Sequence, residues 1–343
     1  MNKKLLGIID ATNYHEDLQE LLTHRSMAAL PFGGRYRIID FVLSNMVNSG
    51  MNSVAIFPKL QYRSLMDHLG SGKNWGLNRK RDGLFFFPCP QCEYDHKRIG
   101  SFHHFAANLD FFHRSTQEYS LITNCFTVFN MDFRPLLEWH IQSGCDITTV
   151  HDKNGKALDI YLVKTSLLME LVQTRNETRY TCMEDVVNDP DPLFVTCHYK
   201  YNGYAEVVDS IQSYFKTSMD LLKPAIWTRL FLKDWPILTK VKDEPPAKYT
   251  RESTVQNSMV ANGCTINGNV ENSIISRGVQ IGKGAVIRNC IIMQKCQIGE
   301  NSLLDSVILD KDVKIEAGTV LTGTPRFPYV VPKGRVQGAL MKS

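Results

Sequence analysis

The densest set of groups able to do chemistry lies in Pro31-Phe32-Gly33-Gly34-Arg35-Tyr36-Arg37-Ile38-Ile39-Asp40-Phe41, just after His24 and Arg25. Paired glycines let a backbone approach a ligand, and clustered arginines recognise phosphate through bidentate hydrogen bonds. The same residues also fit a tight turn with solvated arginines, and the motif alone leaves both readings open. Cys89-Pro90-Gln91-Cys92 with His96, His103 and His104 offers zinc ligands, but one Cys-x-x-Cys without a second pair is a weak zinc signal and reads as loop cysteines. Arg79-Lys80-Arg81 reads as solvated charge, and Asp132 and Asp146 as surface or capping carboxylates beside strands.

The elements that must position these groups follow from apolar periodicity. Ile39, Val42, Leu43, Met46 and Val47 recur at helical spacing and stop at Gly50, which predicts a helix with a glycine C-terminus. Phe102, Phe105, Ala106, Leu109 and Phe112 predict a second helix. Phe133, Leu136, Leu137, His140 and Ile141, ending at Gly144, predict a third. Between them Leu5 to Ile9, Val54 to Phe57, Tyr119 to Thr123, Ile147 to Val150 and Ile160 to Val163 suit buried parallel strands, so the first part reads as an open, mostly parallel α/β sheet. Gly70 to Gly100 shows no helical stripe and reads as a long loop.

After a proline-rich boundary with Pro224, Pro236, Pro245 and Pro246, an internal repeat takes over. Asn257-Ser258, Asn272-Ser273, Asn289-Cys290 and Asp305-Ser306 each open an aliphatic pair at intervals of 15, 17 and 16 residues. Thr265-Ile266, Gln280-Ile281, Gln297-Ile298 and Lys314-Ile315 run in phase at 15, 17 and 17. One aliphatic residue per face with Gly or Asn at the corners is the signature of a parallel β-helix, a short solenoid whose hand the pattern does not give. The expected division is residues 1–222, a linker at 223–246, and the solenoid at 247–343. A hexapeptide-repeat acyltransferase needs a histidine base in its coils, and all ten histidines lie at or before His198.

Composition narrows the partners. The chain has 343 residues, and 39 Lys+Arg against 35 Asp+Glu leave a net charge of only +4, so neither nucleic acid nor membrane follows from charge. Leu5 to Ile9 behind Lys3-Lys4 is too short for a secretory signal. A cytoplasmic protein with nine reduced cysteines is expected.

The Pro31 to Phe41 motif, followed by Leu43-Ser44-Asn45 and Val47-Asn48-Ser49-Gly50, closely resembles the glucose-1-phosphate adenylyltransferases of bacterial glycogen synthesis. The resemblance continues in Asp243-Glu244-Pro245-Pro246-Ala247-Lys248-Tyr249 and through the coils, and covers nearly the whole chain. It implies a nucleotidyltransferase-like α/β domain followed by a left-handed β-helix. Catalysis in that family needs a glycine-rich phosphate loop, a lysine and two carboxylates for Mg²⁺. Here the loop position reads Asp10-Ala11-Thr12-Asn13-Tyr14, the lysine falls at Met27, and the metal carboxylates fall at Cys125 and Val207. A neutral thiol is a poor ligand for hard Mg²⁺. The family's Glu-Lys-Pro segment is missing between His151 and Leu158.

The pattern resembles the GlgD-type, catalytically silent branch. The resemblance implies a regulatory subunit that needs no cofactor itself, assembled with a Mg²⁺-dependent catalytic subunit, as a tetramer. It also implies a cleft between the domains where a phosphorylated sugar or inorganic phosphate binds His24, Arg25, Arg35, Arg37, Lys333 and Arg335, unless these arginines pair with acids across the interface. The alternative is an active sugar-phosphate nucleotidyltransferase with a rearranged metal site built on Asp10, Asp132 and Asp209.

Overall fold

The computed structural model describes residues 4–59, 61–88 and 98–338, so Cys89, Cys92 and His96 of the suggested zinc segment lie outside the described residues. Seven strands form the first sheet: β1 (Leu5–Ala11), β2 (Ser53–Pro58), β3 (Gly83–Phe86), β4 (Tyr119–Asn124), β5 (Ile147–His151), β6 (Ala157–Lys164) and β7 (Thr196–Lys200). They lie in the order β7-β5-β6-β4-β1-β2-β3. The central strands β1, β2 and β4 are buried along their whole length, which is why they read as unbroken apolar runs.

Four expectations need correction. The strand at Ile160 to Val163 is antiparallel to both neighbours, because a tight turn closed by Asp152 N–H donating to the Lys156 carbonyl (2.8 Å) joins β5 to β6 as a hairpin. The Gly70 to Gly100 stretch is not loop throughout; β3 pairs in parallel with β2, and Phe85 and Phe87 pack on Phe111. The aromatic helix is broken into Phe102–Ala106 and Leu109–Arg114, where the Asn108 side chain donates to the His104 carbonyl (2.9 Å). Finally, the nine thiols are not all free. Cys145 and Cys197 are joined as a disulfide, because pairing of β7 with β5 brings their Cα atoms within 6.1 Å. Cys125, Cys182, Cys264, Cys290 and Cys296 are free and buried.

The C-terminal domain is a left-handed parallel β-helix whose three faces carry six, five and five strands. Ile266, Ile281, Ile298 and Ile315 stack in its interior. Asn257, Asn272, Asn289 and Ser306 occupy left-handed corners with φ between 41° and 54°, a conformation asparagine tolerates better than most residues. The Asn257 amide donates to Asn272 (2.7 Å), so the corner residues also ladder from coil to coil.

The third face, with Ile274, Ile291 and Ile308, is turned onto the first domain. Ile291, Met293 and Ile308 belong to the same core cluster as Phe32, Tyr214 and Leu221. The proline-rich stretch is pinned as well: it contains the helix Pro224–Leu230, Asn130 donates to the Leu230 carbonyl (2.7 Å), and Leu238 N–H donates to Ser44 Oγ (2.8 Å). One buried ion pair crosses the contact, Arg25 to Asp310 at 2.8 Å, with both side chains 2% exposed. Removing one member of such a pair leaves a desolvated charge. Asp310→Asn should therefore lower unfolding stability by about 3 to 5 kcal/mol in urea titrations, whereas the joint change Arg25→Met with Asp310→Leu should cost much less. A double change as costly as the single one would mean the pair does not hold the interface.

Candidate functional site

The Pro31 to Arg37 segment forms a small hairpin, Pro31–Phe32 against Tyr36–Arg37, wedged between the domains. Its glycines are there for close packing. Gly33 (φ 55°) and Gly34 (φ 75°) hold left-handed conformations, and a Cβ would lie 3.0 Å from Leu221 Cδ1 at the first and 3.5 Å from the Ile275 carbonyl oxygen at the second. The backbone approach read from the sequence is thus an approach to the β-helix. The hairpin is anchored by Tyr214, whose hydroxyl donates to the Pro31 carbonyl (2.8 Å). Asp40 fixes its exit: one carboxylate oxygen accepts from Arg37 N–H (2.9 Å), and the other lies 2.6 Å from His68 Nε2.

The β-helix meets this hairpin with one corner. The residues that follow the third-face strands stack coil upon coil as Asn262, Arg277, Gln294, Lys311 and Lys333, tied by bonds such as Gly334 N–H to the Lys311 carbonyl (2.9 Å). Arg277, Lys311 and Lys333 thereby form a cationic column facing the hairpin. Burial, then the charge of Arg25, pushes Arg37 down to about 10. Burial, then the charges of Arg37 and Arg25, pushes Lys311 down to about 7, with Lys333 adding to the effect against Asp310. On the other side of Arg37, burial lowers Lys242 and Arg277, with Glu244 opposing. Cations from both domains therefore crowd a site with too few acids to balance them.

The residues expected at an effector site do not all gather here. Arg25 is committed to Asp310 and to the Leu21 carbonyl (2.8 Å). Arg37 donates to the Ala29 carbonyl and feels the charges of Arg25, Asp40, Asp67 and Asp310. Lys333 is exposed beside Lys311, and the exposed Arg35 lies over the Tyr36 ring (5.5 Å) on the Arg277 side. His24 and Arg335 are exposed, and neither is among the charges that act on Arg37 or Lys311. Lys311, Lys242 and Arg277 were missed, although phasing the coils places Arg277, Lys311 and Lys333 at one corner.

A second hollow of about 330 Å³ opens beyond β1 at the expected phosphate-loop position, lined by Thr12, Asn13, Tyr14, Ser26, Met27 and Lys59 among others. Beneath it Asp10, 1% exposed, accepts from Thr12 N–H (2.9 Å), Thr12 Oγ1 (2.6 Å) and Gly100 N–H (2.8 Å). Those donors are the kind a phosphate would use, and a carboxylate of the chain itself takes them. Burial, then the nearby Asp10 charge, raises the Cys125 thiol far above its ordinary range, so it stays protonated. Asn124 accepts from Phe126 and Thr127 N–H (3.0 and 2.9 Å), and Val207 pairs with Thr127 in a two-stranded ribbon. A neutral thiol and a valine do not fit Mg²⁺. Asp132 is engaged by Arg134 and Asp209 by Ser210, so the carboxylates of a rearranged metal site point to other tasks.

Residues 18–158 match the nucleotidyl transferase family model, and residues 245–325 match the model for a GlmU-like, C-terminal hexapeptide region. The chain is 52% identical to the glycogen biosynthesis protein GlgD of Bacillus subtilis (strain 168), over 100% of this chain and 99% of that protein. It is 56% identical to the GlgD of Geobacillus stearothermophilus over 99% of both. A glucose-1-phosphate adenylyltransferase of Geobacillus stearothermophilus is 27% identical over 84% of both chains. No helix among the described residues is long and apolar enough to cross a membrane.

The cleft makes a pH prediction. Lys311 titrates near 7 in the folded chain against an ordinary 10.5, so the folded state binds fewer protons between those values, and stability of the ligand-free chain should rise with pH above about 7. An anion in the cleft restores the ammonium form. Sulfate, a dianion throughout the neutral range, should bind more weakly as pH rises through about 7, and Lys311→Met should flatten that dependence in calorimetric titrations.

Proposed function

The chain belongs to the GlgD family of glycogen biosynthesis proteins, related to the glucose-1-phosphate adenylyltransferases, and from that we propose that it is a catalytically silent regulatory subunit. Its partner is a catalytic glucose-1-phosphate adenylyltransferase subunit, which with Mg²⁺ converts ATP and glucose 1-phosphate to ADP-glucose and pyrophosphate. The two assemble in the cytoplasm as a tetramer. The observation that carries the reading is the state of the former phosphate loop: Asp10 takes the backbone donors internally, and the metal positions hold Cys125 and Val207. Losing phosphate cradle, cation and metal ligands together removes both positioning and electrostatics from a reaction that depends on little else.

What the chain contributes instead is the interdomain cleft, which takes a sugar phosphate or inorganic phosphate on Arg37, Lys311 and Lys333. Arg25 supports this site by holding the domains in register rather than by touching the ligand. An anion can shift an assembly only by its differential affinity for two states, and a site drawing cations from both domains supplies that difference.

The purified chain alone should make no ADP-glucose from ATP and glucose 1-phosphate with Mg²⁺, by pyrophosphate release. A Mg²⁺-dependent rate abolished by Asp10→Asn or Asp132→Asn would favour the active-transferase reading instead. Reconstituted with the catalytic subunit, Arg37→Ala and Lys333→Ala should each weaken activation by a phosphorylated effector about tenfold or more while leaving assembly intact by sedimentation. Unchanged effector response in both variants would remove the cleft from the proposal.

A further inference from the structure

A cavity of about 540 Å³ lies on the first domain, away from the interdomain cleft, between the helix Phe102–Ala106 and the segment Arg175–Cys182. Arg98, Arg175 and Arg179 line it together with Ser101 and Tyr180, and among the described residues no carboxylate does. Arg98 is neutralised, since it pairs with Asp185, which also accepts from Thr181 Oγ1 (2.6 Å). Arg175 and Arg179 have no such partner. Neither makes an ion pair among the described residues, and the bond from Arg175 Nη1 to the Val172 carbonyl (2.9 Å) leaves most of that guanidinium available. The neighbouring groove, which Arg179 also lines, carries Glu184, Asp185 and Asp189; Asp185 is engaged by Arg98 and Asp189 by the Tyr180 hydroxyl, and no ion pair joins Glu184 to Arg179 among the described residues.

This arrangement carries two costs that no ion pair among the described residues offsets. Like charges one helical turn apart repel. Arg179 also closes its helix with φ 64°, a left-handed conformation that a residue with a Cβ adopts at a cost and glycine adopts freely. An anion between the two guanidinium groups would remove the repulsion and gain charge-assisted bonds from both, and the Ser101 hydroxyl borders the same space. The cavity is larger than a bare ion needs, and the Tyr180 ring and Cys182 offer an apolar wall for an organic remainder.

We infer that Arg175 and Arg179 form a second anion site, separate from the interdomain cleft, which binds the phosphate group of a small phosphate ester or inorganic phosphate. The reading does not depend on the silent-subunit proposal, since no residue is shared between the two sites.

Calorimetric titration of the full chain with inorganic phosphate and with phenyl phosphate tests it, in the wild type and in the Arg37→Ala background that weakens the cleft. Arg175→Ala with Arg179→Ala should remove a binding event in both backgrounds, with an affinity loss of about tenfold or more. Arg179→Gly guards against a folding artefact: it should keep or raise the melting temperature because the left-handed turn is relieved, yet still weaken phosphate binding. Phenyl phosphate binding more tightly than inorganic phosphate identifies an ester as the occupant, and equal affinity identifies the free ion. Isotherms of the double variant that superimpose on wild type for both probes would overturn the inference.

Discussion

The buried pair between Arg25 and Asp310 sets the geometry on which the rest of the chain depends. Two charges out of water are tolerated only when their remaining hydrogen-bonding capacity is used. Here it is: Arg25 also donates to the Leu21 carbonyl, and Asp310 also accepts from Lys311 N–H (2.7 Å). The pair therefore fixes more than an angle between domains. By committing Asp310 to Arg25, it draws away the acid that acts on Lys311, while Arg37 has Asp40 and Asp67 nearer at hand. The third face of the β-helix provides the apolar area around it, with Ile291 and Ile308 buried in the first domain's core.

The pocket beyond β1 and the interdomain contact differ in how their charges are balanced. Beyond β1 the anion is built in, as Asp10 satisfies donors from Thr12 and Gly100, and a phosphate arriving there would meet a carboxylate already seated. In the cleft, burial and neighbouring cations depress the pKa values of Arg37, Lys311, Lys242 and Arg277, which express one excess of desolvated positive charge.

Much of this could be read in the sequence where the signal was periodic. The phase of Asn257, Asn272, Asn289 and Asp305 locates the coils, and the stripe from Ile39 to Val47 locates the helix Ile39–Asn48 with its terminal Gly50 at φ 89°. What was lost was lost for physical reasons. Strand β3 was hidden because Leu84 to Phe87 is a half-exposed edge covered by aromatic rings, with no alternation to betray it. Asn108 broke a helix that apolar spacing alone would have continued, since periodicity does not see a side chain competing for the backbone. At the site, clustering in sequence proved a poor guide to clustering in space. His24 and Arg25 are adjacent, yet one is exposed and the other is sealed in an ion pair, whereas Lys311 and Arg37 are far apart in sequence and share one site.

That sharing bears on how an anion in the proposed site would act. A phosphate held, as proposed, by a hairpin on one domain and a corner column on the other would gain its full set of bonds only at one relative placement of the two. Its binding free energy therefore depends on that placement, and by linkage the placement depends on whether it is bound. A working active site would blur this response, because substrate phosphates and closing motions would pull on the same first domain. Asp10 already accepts from Thr12 and Gly100 beneath the pocket beyond β1, so in the proposed reading the cleft is the place where a phosphate acts on how the two domains sit.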